Sequence, residues 1–318
     1  NKITNQILEI NKNINLELNN FNFLLNPYSF SVKVMTLDPK IYLEDNQLQI
    51  KSIKTKISLK ALLDSQFLID DLKISTKAIK INDAILLARS FKNSAELFIL
   101  NKVIKNGFLT AEIQLNFDYT GKIKDDYQIN GFIEKSEFDI LNQYHIKDFN
   151  FYFDISKNKY SLTRINGNFN NIELSSETIE IDEKKDFFLV KGKVTSEEKN
   201  FDEKQLSVLF NSFLTNLDIK KIKFSSTNNF SFNLSKKLKI NDLIIKSEVI
   251  LDQLEIKKKL LSLKSYLPDF NEKVKFENHK IKINYSNNKF DINGNGELLI
   301  NKKPDLLIYQ ISKKNDQF

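Results

Sequence analysis

Side chains able to carry acid–base, nucleophilic or metal chemistry are few in this chain and stand far apart. Its 318 residues include no cysteine and only two histidines, His145 and His279. A thiolate nucleophile, a disulfide framework and a cysteine-bearing zinc site are therefore excluded. Neither histidine has a second one at ligand spacing. The adjacent carboxylates Asp70-Asp71 and Asp125-Asp126 come nearest to an acid–base pair. Neighbours on a strand point to opposite faces, however, which argues against a shared site. There is no glycine-rich phosphate loop, no Gly-x-Ser-x-Gly elbow and no calcium loop. The expectation is a chain that is not an enzyme, with no catalytic residue, no metal and no cofactor.

Charge gives the next constraint. Lys+Arg number 48 against 41 Asp+Glu, a net charge of +7. Nearly all the cations are lysine, and Arg89 and Arg164 are the only arginines. Readers of phosphate and bases lean on bidentate arginine contacts, so nucleic acid is not an expected partner. The lysines fall singly along apparent strands, as at Lys51, Lys54 and Lys56, which suits a solvated strand face.

The elements that would position any site are mainly strands. Apolar residues alternate with polar ones, the period of a sheet with one buried face. The pattern begins with Ile14, Leu16 and Leu18, then Phe30, Val32 and Val34. Leu48, Ile50, Ile57 and Leu59 continue it, followed by Ile113, Leu115 and Phe117. Phe149, Phe151 and Phe153 repeat it in mid-chain, and Phe230 and Phe232 near the end. These residues are expected to line one apolar face. The sequence bias toward Phe (26) and Ile, with no Trp, fits a pleated surface. Helices are expected over Asn82 to Phe91 and over residues 201–215, where Leu206, Leu209, Phe210 and Phe213 share a stripe. A single turn is expected at 60–64. The chain reads as one elongated segment over 1–318, with a boundary near 200–225 at the second helix.

Four of the seven glycines share one frame: Ile129-Asn-Gly131-Phe-Ile133, Ile165-Asn-Gly167-Asn-Phe169, Val190-Lys-Gly192-Lys-Val194 and Ile292-Asn-Gly294-Asn-Gly296. Alternation runs through each glycine, which favours bends inside strands over turns. No apolar run reaches the ~18 residues of a membrane span. The chain begins at Asn1 without a methionine or a signal-type apolar segment, so a segment of a longer protein is expected.

The first ninety or so residues carry a resemblance. Asn13-Ile-Asn-Leu-Glu-Leu leads through Phe30-Ser-Val-Lys-Val to Leu37-Asp-Pro-Lys-Ile-Tyr-Leu. Leu48-Gln-Ile-Lys-Ser-Ile-Lys-Thr-Lys-Ile-Ser-Leu follows, then Ala61-Leu-Leu and Phe67-Leu-Ile-Asp-Asp-Leu-Lys-Ile. This resembles the N-terminal part of AsmA-like and TamB-like bacterial envelope proteins. The resemblance implies a mainly β fold, a curved antiparallel sheet forming an apolar groove with a few short helices. It further implies an inner-membrane anchor, a periplasmic location and phospholipid as the partner, moved toward the outer membrane during envelope assembly. Outer-membrane or other envelope proteins are further implied partners. The alternative is a closed-core β scaffold that binds envelope proteins.

Overall fold

A computed structural model of the chain describes residues 14–18, 20–43, 46–59, 69–91, 95–118, 122, 124–140, 144–169, 172–201, 219–237, 239–257, 273–286, 288–300 and 303–314. These residues are mainly β, with antiparallel pairing and two short helices. Contacts divide the chain into two units, residues 1–165 and 166–318. The expected turn at 60–64 and helix at 201–215 lie outside the described residues, save Phe201, which closes a strand.

In the first unit, β1 (Ile14–Glu17), β2 (Phe21–Asn26), β3 (Ser31–Leu37), β4 (Lys40–Leu43) and β5 (Asn46–Ser58) lead into β6 (Ile69–Thr76), β7 (Ile79–Lys80), β8 (Ile104–Asn116), β9 (Gln128–Ile140) and β10 (Tyr144–Ser156). β3 and β4 share β5, β3 pairing with its second half and β4 with its first. β6 and β7 share β8 in the same way. The helix expected from Asn82 runs over Ile81–Phe91 (α1), with Asp83 in its first turn and Arg89 in its last. Those charges suit the helix dipole. A second helix, α2 (Ala95–Val103), follows it. Ile81 and Ile85 of α1 meet Ile104, packed with Leu109, Ile133 and Phe138, so α1 covers one end of the sheet.

β11 spans Lys159–Phe169. The second unit is a meander of β12 (Ile172–Glu183), β13 (Phe187–Phe201), β14 (Ile219–Ser235), β15 (Ile240–Lys257), β16 (Lys273–Ser286), β17 (Lys289–Ile300) and β18 (Lys303–Lys314), each strand pairing with the next. Its core joins Ile172, Phe201 and Ile219 with Leu174, Ile222, Phe224, Leu254 and Ile256.

Most of these strands are too long to stay regular. β-Strands twist, and a bulge adds one residue, bends the strand and raises the twist. Here the bulges recur at polar doublets set inside the alternating run. In β9, Ile133 and Ser136 are three residues apart yet face Phe151 and Phe149, two apart, which makes Glu134-Lys135 the doublet. β10 does the same with Lys147-Asp148 between Ile146 and Phe149. Lys51-Ser52 in β5 lies opposite Ser75, and Asp252-Gln253 in β15 follows Leu251 before the phase resumes at Leu254. Each doublet flips the alternation, so that apolar residues stay on one face before and after it. Left-handed backbone marks two of these doublets, at Lys135 and Asp148, and recurs at Asp38, Arg164 and Asn278. Asn and Asp tolerate that region best.

The β8–β9–β10 bulges are pinned by side chains. The Lys135 N–H donates to Asn150 Oδ1 at 2.8 Å, and Asn150 Nδ2 donates to the Asp148 carbonyl at 2.7 Å. Ser136 Oγ donates to the Phe149 carbonyl at 2.6 Å. Gly107 completes the arrangement in β8 with φ +131°, where a Cβ would sit 2.8 Å from Ser136 Cβ and 2.9 Å from its Cα. Gly107→Ala should therefore cost about 2–3 kcal/mol through strained φ and the backbone clash. Asn288→Gly, at a hairpin with φ 59°, should change stability by less than about 1 kcal/mol. Urea unfolding of both variants checks the contrast, and an equally mild Gly107→Ala would remove the strain argument.

Candidate functional site

Cross-strand register assembles the apolar face in rows. In the first unit, Thr36, Ile53, Ile74, Ile113, Ile129 and Ile155 stand opposite one another in turn across β3, β5, β6, β8, β9 and β10. A neighbouring row joins Ala111, Gly131 and Phe153, and the next joins Leu109, Ile133 and Phe151. In the second unit one row runs Ile179, Gly192, Phe230, Ile245, Tyr285 and Phe290.

Most of the expected lining residues fall on this face. Val32 and Val34 of β3 oppose Ile57 and Thr55. Leu16, Ile41 and Leu48 line up across β1, β4 and β5. Leu16, Leu48, Ile50, Ile57 and Phe151 are buried. Leu18, Val32, Val34, Leu59, Ile113, Leu115, Phe117, Phe149, Phe153, Phe230 and Phe232 are only partly covered. Ile14 lies in β1 opposite Leu43. Phe30 departs from the expected alternation. It sits in the turn before β3, with φ 45° and 52% exposed, because the left-handed backbone there ends the β2–β3 hairpin.

The central isoleucines decide the character of the face. Ile53, Ile74, Ile113, Ile129 and Ile155 have paired strands on both sides or close to it, yet each stays partly exposed. Core residues under a second layer would be almost wholly buried. Ring contacts agree: Phe149 meets Phe138 at 5.4 Å and Phe151 at 5.3 Å, both on neighbouring positions of the same sheet.

Glycines on this face make room for rings. Gly131 stands opposite Phe153, Gly192 opposite Phe230 and Gly294 opposite Tyr309. A Cβ on Gly131 or Gly192 would come within 2.7 Å of the partner's Cζ. The ring thus lies over the glycine, shielding its backbone and lowering the relief of the face. Gly167 lies within β11. The register shifts between β9 and β10 fall at the polar doublets, while the ladders run unbroken past Gly131 and Gly294.

Gly296 faces His279, which is 1% exposed. One ring nitrogen, Nε2, lies 3.0 Å from the Glu297 carbonyl, and Nδ1 has no partner among the described residues. Phe276 and Tyr309 flank the imidazole at 5.6 and 5.9 Å. Burial holds the Tyr309 phenol above its usual pKa. His145 lies in β10. Asp70 and Asp125 are each in an ion pair with a lysine, Lys56 and Lys157. Among the described residues no three His, Cys, Asp or Glu converge to hold a metal, and no helix is long and apolar enough to cross a membrane.

On the opposite, polar face the doublets are tied together by charge. Lys77 Nζ, between β6 and β7, lies 2.7 Å from Asp38, between β3 and β4, and so links the two strand breaks that flank β5. Lys223 joins Glu198 of β13 to Asp252 of β15, the latter at 2.9 Å. A shallow pocket of about 400 Å³ opens on this side of β8–β11, lined by Thr110, Asn130, Phe132, Tyr152 and Asp154. The Phe132 and Tyr152 rings lie 4.7 Å apart, tilted by 39°, and the Arg164 guanidinium lies 5.4 Å from the Tyr152 ring.

No family model, no curated protein and no solved structure matches this chain.

Two measurements probe these contacts. Gly192→Ala should cost about 1–2 kcal/mol, and that cost should shrink by at least ~0.5 kcal/mol in a Phe230→Ala background. Additive losses would mean the ring does not depend on the gap. The hydrogen bond to Glu198, then that to Asp252, raises the Lys223 pKa above 10.5. Its stabilisation is then complete below the unfolded value and is lost as pH rises through the folded one. The urea-midpoint difference between the native protein and Lys223→Gln should be level near neutrality and narrow above about pH 10.5. A difference that held constant into strong alkali would contradict the linkage.

Proposed function

We propose that the chain is a non-enzymatic lipid-binding segment, whose apolar faces hold phospholipid acyl chains for envelope assembly. The partly exposed row Ile53–Ile74–Ile113–Ile129–Ile155, central in its sheet, carries the reading. A partly exposed apolar face of that extent is out of place on a protein with no apolar partner. Acyl chains match its chemistry. Covering about 400 Å² of tail is worth roughly 10 kcal/mol at ~25 cal/mol per Å². The resemblance of the first ninety residues supports a periplasmic setting, an inner-membrane anchor and transfer of phospholipid toward the outer membrane.

The test is mass spectrometry of the chain purified without detergent, coupled to extraction of labelled phospholipid from liposomes. Co-purified phospholipid is expected, and Ile113→Asp should lower extraction by about a hundredfold or more, because a carboxylate in the row costs several kcal/mol to desolvate. Circular dichroism checks whether the variant keeps its sheet. A lipid-free chain that extracts nothing would leave the closed or protein-binding scaffold as the better reading.

A further inference from the structure

We propose that the β2–β3 edge of the first unit seats on the surface of an anionic lipid bilayer. This deepens the lipid-binding reading and rests on it for its purpose, though the two can fail separately. The β2 strand pairs with β3 on one side only among the described residues, and its apolar side chains are unusually bare. Phe23 is 68%, Leu24 65% and Leu25 59% exposed, while Tyr28 at the hairpin tip is fully so. An exposed apolar edge invites unwanted pairing unless something covers it.

Three observations favour a bilayer as that cover. First, the apolar groups lie on both sides of the strand: Phe21, Phe23 and Leu25 share the face of Thr36, Val34 and Val32, whereas Leu24 opposes Lys33 on the other. A protein stacked on one face would leave the other bare, whereas a lipid interface surrounds an edge. Second, the tip is held in shape. The Tyr28 and Ser29 N–H groups donate to Asn26 Oδ1 at 3.1 and 3.2 Å, which projects Tyr28 outward. Tyrosine suits the interface, with an apolar body and a polar end.

Third, lysines crowd beside the edge. Lys33 stands directly opposite Lys56, and Lys54 directly opposite Lys73. Like charges across a ladder repel. Of the four, only Lys56 has a carboxylate within ion-pair distance among the described residues, Asp70 at 3.7 Å. Anionic headgroups relieve that repulsion, and each juxtamembrane lysine adds about 1 kcal/mol of attraction. The geometry also gives lipid a route. Phe21 opposes Thr36, which begins the isoleucine row, so a tail leaving the bilayer passes from the edge onto the apolar face.

Co-sedimentation of the 318-residue chain with vesicles tests this. One set is phosphatidylcholine alone and the other also carries phosphatidylglycerol. Preferential binding to the anionic set is expected. Lys33→Gln with Lys54→Gln, and separately Phe23→Ser with Tyr28→Ser, should each weaken it about tenfold or more, and all four side chains are exposed enough to spare the fold. High salt should bring the native chain down to the lysine variant. Equal binding to both vesicle sets, or variants that bind like the native chain, overturns the proposal. So does a dimer in analytical ultracentrifugation that Phe23→Ser dissolves, which would give the edge to a second copy. Phospholipid bound by the same preparations, counted by mass spectrometry, separates the two readings. Docking variants that keep their lipid but no longer sediment support the edge as a seat. A lipid-free chain that still sediments would sink the groove and leave the seat standing.

Discussion

Everything in this chain depends on keeping one face apolar along strands that must bend. Regular alternation ties each side chain to a face by parity, so an unplanned one-residue shift would turn the rest of a strand inside out. The polar doublet solves this. At Glu134-Lys135, Lys147-Asp148 or Asp252-Gln253, two residues share the polar face opposite one, the strand bends, and apolar parity resumes on the original side. Ile133 and Ser136, or Leu251 and Leu254, therefore belong to one surface despite their odd spacing.

The doublets also organise charge and cores. Within each unit their polar residues emerge opposite the apolar rows, where the ion pairs Asp38–Lys77 and Glu198–Lys223–Asp252 each reach across an intervening strand. Exposed pairs of this kind add little stability singly; their use is in fixing register where the ladder is broken. On the apolar side the bulges separate two regimes. Ile219, Phe201 and Ile256 lie beyond their doublets and close into a small core, as Ile104 and Phe138 do in the first unit. Between the bulge and the far end, the face stays partly open.

Strand content, one-sided alternation and the Asn82–Phe91 helix were legible because each rests on local periodicity. The openness of the face was not. An apolar row reads identically whether a second sheet covers it or not, and only the partial exposure of Ile74 or Ile129 separates the cases. The bulges were half-visible. Leu48, Ile50 and then Ile53, Ile57 change parity within one strand, and read as simple alternation they look like two strands with a break. Glycines drew attention as bends, yet Gly131, Gly192 and Gly294 answer to a ring on the adjoining strand, a pairing that needs the register to be seen. Phe30 fell into the alternation by type alone, and its positive φ is invisible to a pattern of polarity.

A ring laid over glycine has a mechanical consequence for any occupant of the face. Specific pockets trap a ligand by combining relief with polar anchors. Here Phe153 and Phe230 lie down where neighbouring positions have no side chain, and the row flanking Phe153 is isoleucine from β5 to β10. A tail on such a surface exchanges one set of dispersion contacts for an equivalent set as it advances, since each contact is weak and similar to the next. The total is large while the difference between adjacent positions is small. For the proposed acyl-chain occupant, retention and movement along the strand rows would then not compete, a combination that needs only composition and register.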